Sequence, residues 1–157
     1  MDLVSHALLS NLVFKELPLS ARYWAILLGV MPDIMGFVFI FKLEFFKKLL
    51  FFKKIPTSYF PKIVFLFYNI AHSIIIWTII WLFLYFIIQS SLLAILWSSW
   101  GLHIFVDIFT HNSKSNLATR IMWPVSNWYF DGFTWSNKKF LLISYLIFAI
   151  LYWLFYF

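Results

Sequence analysis

The sequence predicts an all-α integral membrane helical bundle. About four transmembrane helices are joined by interfacial segments and preceded by a short N-terminal re-entrant helix, in one domain over residues 1–157. Three observations predict it. Hydrophobic residues make up 64% of the chain and charged residues 11%, against roughly one quarter charged in a soluble domain, so most of its surface must face lipid. Four stretches, Ala21 to Phe41, Ile63 to Ile88, Leu92 to Thr110 and Phe140 to Phe157, approach or exceed the ~20 apolar residues that a crossing requires. The basic residues gather mainly between these stretches, as they do in loops at a membrane surface.

Leu3 to Phe14 is apolar but too short to cross, and it reads as a helix dipping back into the bundle beside the first span. A purely interfacial helix is the competing reading. Met1-Asp2-Leu3 has no basic n-region, so a removable signal peptide is not expected. After the first span, Lys42, Lys47, Lys48, Lys53, Lys54 and Lys62 face a single acid, Glu44, which by the positive-inside rule makes this loop cytoplasmic. The Lys42 to Lys54 run alternates with Phe and Leu, as would an amphipathic helix lying on anionic lipid headgroups. Only Gln89-Ser90-Ser91 separates the second and third spans, which must form a tight antiparallel hairpin. The segment His111 to Lys139 returns to the cytoplasmic side, and Trp123, Trp128, Tyr129 and Trp135 suit it to headgroup depth. The net charge of +6 is thus accounted for by lipid and topology, and no nucleic-acid partner is expected. The inner (cytoplasmic) membrane, crossed several times, is the expected location.

Against this background Asp33, His72, His103 and Asp107 stand inside apolar spans, where ionisable groups are costly and by default functional. Asp33 is nine residues from Lys42, His72 ten from Lys62, and His103 and Asp107 are eleven and seven from Lys114. At about 1.5 Å per helical residue, groups from three spans lie at one level, roughly 10 to 17 Å from the cytoplasmic charges. If Lys15 to Arg22 is a turn, His6 comes level with Asp33 as well. His103-x-x-x-Asp107-x-x-x-His111 keeps its three side chains near one helical face. Each residue also has a plain structural role open to it: a histidine can bond across helices, and Asp107 can pair with Lys114 or Arg120.

With no cysteine in the chain, a metal would have to be held by nitrogen and oxygen. Imidazoles with carboxylates suit a divalent metal, zinc first and manganese or iron next, as one ion or two. Such ions activate water for hydrolysis without a side-chain nucleophile, and the sequence has neither a G-x-S-x-G elbow nor a P-loop.

The motifs are Ser5-His6, Met31-Pro32-Asp33, Ala71-His72-Ser73, His103-Ile104-Phe105-Val106-Asp107, Thr110-His111 and Trp123-Pro124-Val125-Ser126-Asn127. In this order they resemble the bacterial membrane-bound metal-dependent hydrolases, which pair an early His with Leu-Pro-Asp, Thr-His-Ser and His-x-x-x-Asp. The resemblance implies metal ligation by His6, Asp33, His72, His103 and Asp107, and His111, on the same helical face as the last two, is a further candidate ligand. Met35 departs from the family's frequent second acid, and Phe67-Tyr68 from a frequent His-Arg.

The expectation is therefore a metal-dependent hydrolase of a membrane-resident or lipid-linked ester or phosphoester, with His72, His103 and Asp107 at the reaction centre. Proton or metal-ion transport, which would call for an oligomer, and a non-enzymatic membrane scaffold are the alternatives.

Overall fold

In the computed structural model, which describes residues 1–37, 61–113 and 118–157, Asp2 caps the first helix. Its carboxylate accepts from the Ser5 N–H at 3.1 Å and from the Ser5 hydroxyl at 2.6 Å, satisfying a donor that the first turn leaves open. Helix α1 (Leu3–Val13) turns at Phe14 to Pro18 into α2 (Leu19–Phe37), and the two pack as a hairpin. Six α-helices make up the regular structure, and the described residues contain no strand.

Where α1, α2 and α5 (Ser91–Thr110) meet, small residues let the backbones close together. A Cβ on Gly29 would lie 2.0 Å from Ser10 Oγ and 2.7 Å from Ser99 Oγ. The Ser99 hydroxyl donates to Ser10 Oγ at 2.9 Å across the same junction. α1 therefore packs into the bundle with Ser5, His6 and Ser10 buried. Pro32 sits inside α2, which continues through it to Phe37.

The expected second span, Ile63 to Ile88, is not one continuous helix. It divides into α3 (Lys62–Ala71) and α4 (Ile74–Leu82), the latter running on into a π-helical stretch, Phe83–Ile87, with a bend of 50° at His72 and Ser73. The bend has local and distant causes. Ser73 caps α4 by accepting from the Ile76 N–H at 3.2 Å, while the Ile74 N–H donates to the Ile121 carbonyl at 2.9 Å. The Ser73 hydroxyl donates to the Trp123 carbonyl at 2.5 Å. Backbone groups freed by the break are thus taken up by the segment after α5, as burial demands.

The tight turn after the π-helical stretch is formed as expected. Gln89 adopts φ 55°, and Ser90 caps α5 by accepting from the Leu93 N–H at 3.3 Å. Two indoles then lock α4 to α5. Trp77 Nε1 donates to the Trp97 carbonyl at 3.0 Å and Trp97 Nε1 to the Trp77 carbonyl at 3.2 Å, so neither N–H is stranded in apolar surroundings. Trp100 Nε1 ties α5 to the end of α3 through the Ala71 carbonyl at 2.7 Å. Ala71, Trp100 and Ile104 form the buried core, with Leu28, Met31, Met35 and Trp77 against it.

At its other end α5 is closed by the returning chain. The N–H groups of Gly132, Phe133 and Trp135 donate to the carbonyls of His111, Phe109 and Thr110 at 2.9, 2.7 and 3.1 Å, occupying acceptors that a helix end leaves open. The irregular residues before α6 expose Trp128 and Phe133, as an interfacial segment would. Helix α6 (Lys138–Tyr156) packs on α1 and buries only Phe148. Tyr145 donates to Asp2 at 2.8 Å and Tyr152 to the Leu8 carbonyl at 3.0 Å.

Helices α5 and α6 are long and apolar enough to cross a membrane, and the bent pair α3–α4 makes a third candidate. The first expected span, Ala21 to Phe41, corresponds to α2 as far as Phe37, but Arg22, Pro32 and Asp33 lie within it and it does not reach the same apolarity. The remainder of that stretch and the Lys42 to Lys54 run lie outside the described residues.

Candidate metal centre

Four of the expected residues converge. Asp33 follows Pro32 on α2, His72 occupies the break between α3 and α4, and His103 and Asp107 stand one turn apart on α5. One nitrogen or oxygen from each lies within 4.8 Å of the others. His72 Nε2 is 3.2 Å from His103 Nε2 and 3.4 Å from Asp107 Oδ2, and His103 Nε2 is 3.2 Å from that same oxygen. Asp33 Oδ1 lies 3.9 Å from His72 Nε2 and 3.7 Å from His103 Nε2.

The far sides of both rings show which atoms are free for a ligand. His72 Nδ1 is 2.9 Å from the Tyr68 carbonyl and His103 Nδ1 is 2.7 Å from the Gly29 carbonyl. A carbonyl can only accept, so both Nδ1 atoms carry their protons, and the lone pair that an imidazole offers a metal is then the one on the inward-facing Nε2. Two lone pairs therefore face one another at 3.2 Å beside two carboxylates. A single proton would relieve one nitrogen, whereas a divalent cation satisfies both nitrogens and balances both acids.

The spacing fits such an ion. For bonds of about 2.0–2.1 Å, the edges of a tetrahedron are about 3.3–3.4 Å, close to the three shortest separations in the cluster. Asp107 Oδ2 is fully buried and accepts no hydrogen bond among the described residues, an omission expected of an oxygen reserved for a metal. The four residues can thus hold a metal ion through His72 Nε2, His103 Nε2, Asp107 Oδ2 and Asp33 Oδ1. Their histidines are already oriented from behind, as in known metal sites.

His6 and His111 reach the other oxygen of Asp107. His6 Nε2 donates to Oδ1 at 3.0 Å and His111 Nδ1 lies 3.4 Å from it. The Thr110 hydroxyl donates to Oδ1 at 3.1 Å, and the Met1 ammonium donates to both Oδ1 and Thr110. The carboxylate is consequently divided, one oxygen held by donors and the other turned to the cluster. His6 also stacks on His103, with ring centroids 3.7 Å apart. The pairing open to Asp107 in the sequence is not made with Arg120, which is exposed and reaches Asn127 Oδ1 at 3.5 Å. Lys114 lies outside the described residues.

Burial is uneven. The side chains of His72, His103 and Asp107 are fully enclosed, while that of Asp33 is 14% exposed and marks the accessible side. Tyr68 stacks on His72 at 4.0 Å, and its hydroxyl lies 3.4 Å from Thr119 Oγ1. Thr119 in turn donates to the Asp107 carbonyl at 3.2 Å. Met35, one turn from Asp33 in sequence, packs against the apolar core.

Several participants left no role to be read in the sequence: Gly29, Ser10 and Ser99 at the helix junction, Thr119, and Tyr68, whose carbonyl accepts from His72 and whose ring stacks on it. Gly29 offered one signal, a glycine inside an apolar helix one turn before Asp33. Comparison with protein-family profiles, curated proteins and solved structures gives no match.

Proposed function

We propose that the chain is a multipass protein of the bacterial inner membrane that hydrolyses a membrane-resident ester or phosphoester with a divalent metal ion, zinc in the first instance. One observation carries this reading: the bare Nε2 atoms of His72 and His103 converge with two carboxylates while both Nδ1 atoms are committed to backbone carbonyls. When bound, the ion supplies Lewis acidity and a water of lowered pKa, so that no serine or cysteine nucleophile is required.

The protein's part is orientation and enclosure. His72 and His103 are fixed by their carbonyl partners, and Asp107 by the donors on Oδ1. Asp33, on the accessible side, is the ligand nearest an arriving substrate. Buried Tyr68 and Thr119 pack beside the cluster, the ring on His72 and the hydroxyl on the Asp107 carbonyl. Four ligands gathered at one point, rather than strung along the bundle, favour hydrolysis over conduction of an ion through it. In this reading α2 supplies the fourth crossing and the Lys-rich segment that follows it faces the cytoplasm, against anionic headgroups.

The test is elemental analysis of protein purified without added metal, followed by assay on lipid esters and phosphoesters. The wild type is expected to carry about one equivalent of divalent metal, as four ligands for one ion require. The double variant His103→Ala, Asp107→Ala is expected to carry none and to hydrolyse nothing. Folded wild type that is active without metal would sink the proposal. Metal-loaded protein that hydrolyses none of these substrates but moves protons or metal across proteoliposomes would transfer the site to transport.

A further inference from the structure

A second site lies on the other face of α1. At about 100° per residue, Val4, Leu8 and Asn11 project away from His6. With Arg22 and Ile26 of α2 and Tyr152 of α6 they line a groove of about 400 Å³. This is within the range of roughly 300–1,000 Å³ usual for small-molecule sites.

The walls are graded. Arg22 and Asn11 stand at the end beside the α1–α2 turn. Ile26 lies one turn further along α2, and Leu8 and Val4 continue along α1, so that the distance from Asn11 to Val4 is about 10 Å of helix. Most polar groups at the mouth are already engaged. Asn11 Nδ2 donates to the Tyr152 hydroxyl at 2.8 Å, and Tyr152 donates to the Leu8 carbonyl at 3.0 Å. Arg22 differs: it is half-buried, and its guanidinium makes no hydrogen bond or ion pair among the described residues. Neighbouring Lys15 is held by Glu16 at 3.4 Å and lies over the Phe155 ring. A half-buried, unengaged guanidinium at the polar end of an apolar groove matches an amphiphile with an anionic head.

We propose that this groove binds an anionic phospholipid, with its phosphate on Arg22 and an acyl chain along Leu8, Val4 and Ile26. The proposal is independent of the metal centre, because none of these residues belongs to it.

The test titrates phosphatidylglycerol and phosphatidylcholine against the full-length protein in detergent and counts bound lipid by native mass spectrometry. Wild type is expected to favour phosphatidylglycerol about fivefold, the discrimination that one basic side chain near a membrane surface supplies. Arg22→Gln is expected to erase the preference, while Arg22→Lys and Lys15→Gln keep it. Ile26→Trp, filling the apolar end, is expected to weaken both lipids. Equal binding of both lipids by wild type, or an undiminished preference in Arg22→Gln, overturns the proposal. So does complete displacement of the lipid by glycerol phosphate at matched concentration, which would make the groove a site for free phosphate.

Discussion

His103 Nδ1 donates to the carbonyl of Gly29 at 2.7 Å, and this bond joins the candidate metal centre to the glycine at which α1 and α5 press on α2. The same residue whose missing side chain lets α1 and α5 approach α2 also supplies the acceptor that turns a histidine toward the ligand cluster. Packing and ligand orientation are therefore one property at this position.

Substitution of Gly29 should reveal that link. In Gly29→Ala the added carbon would fall 2.0 Å from Ser10 Oγ and 2.7 Å from Ser99 Oγ, so the bond between these hydroxyls must break, and any retreat of α1 or α5 from α2 shifts the carbonyl under His103. Metal affinity is expected to fall about 10- to 100-fold, the usual effect of losing support behind a ligand. Adding Ser10→Ala, which removes the colliding oxygen, should recover part of the loss. Metal titration of the single and double variants checks this. Unchanged affinity in Gly29→Ala would separate packing from ligand orientation.

His6 is expected to position Asp107 rather than bind the ion, since its Nε2 meets Oδ1 while the cluster uses Oδ2. His6→Ala should lower metal affinity about tenfold without abolishing binding. His6→Gln, which retains a donor, should restore much of it. A ligand would behave differently: both variants would then lose metal as completely as His103→Ala. Metal content and affinity of the three proteins distinguish the roles.

Gly132 is expected to tolerate no side chain. A Cβ there would lie 2.3 Å from the Phe109 carbonyl oxygen, a backbone atom that cannot rotate aside. Gly132→Ala should detach the returning segment from the end of α5 and leave up to three carbonyls without protein donors, costing about 1–3 kcal/mol for each one that stays buried. Faster proteolysis within residues 118–137, with α6 intact, is the expected readout. A cleavage rate equal to wild type would mean that the closure is dispensable.

The candidate ligands were legible because an acid or imidazole in an apolar stretch is conspicuous, and Asp33, His72, His103 and Asp107 all met that criterion. Counting residues between charges also placed them at one level, since helical rise is nearly constant. The bend at His72 was not legible. Residues 63–88 contain no proline or glycine to mark a break, and the groups that stabilise it, Ile121 and Trp123, act through backbone carbonyls nearly fifty residues away. The orientation of both histidines was hidden for the same reason, because a carbonyl is present at every residue and leaves no mark in a sequence. The division of Asp107 between two sets of partners likewise depends on which helices meet, not on the spacing along any one of them.

The break between α3 and α4 also bears on the order of biosynthesis. Two of the bonds that hold it come from residues 121 and 123, which the ribosome adds only after α5 has been made. Until then the Ile74 N–H and the Ser73 hydroxyl lack these partners, and His72 lacks the restraint that they impose. The four ligands are thus all synthesised before the two carbonyls that hold His72's break in place.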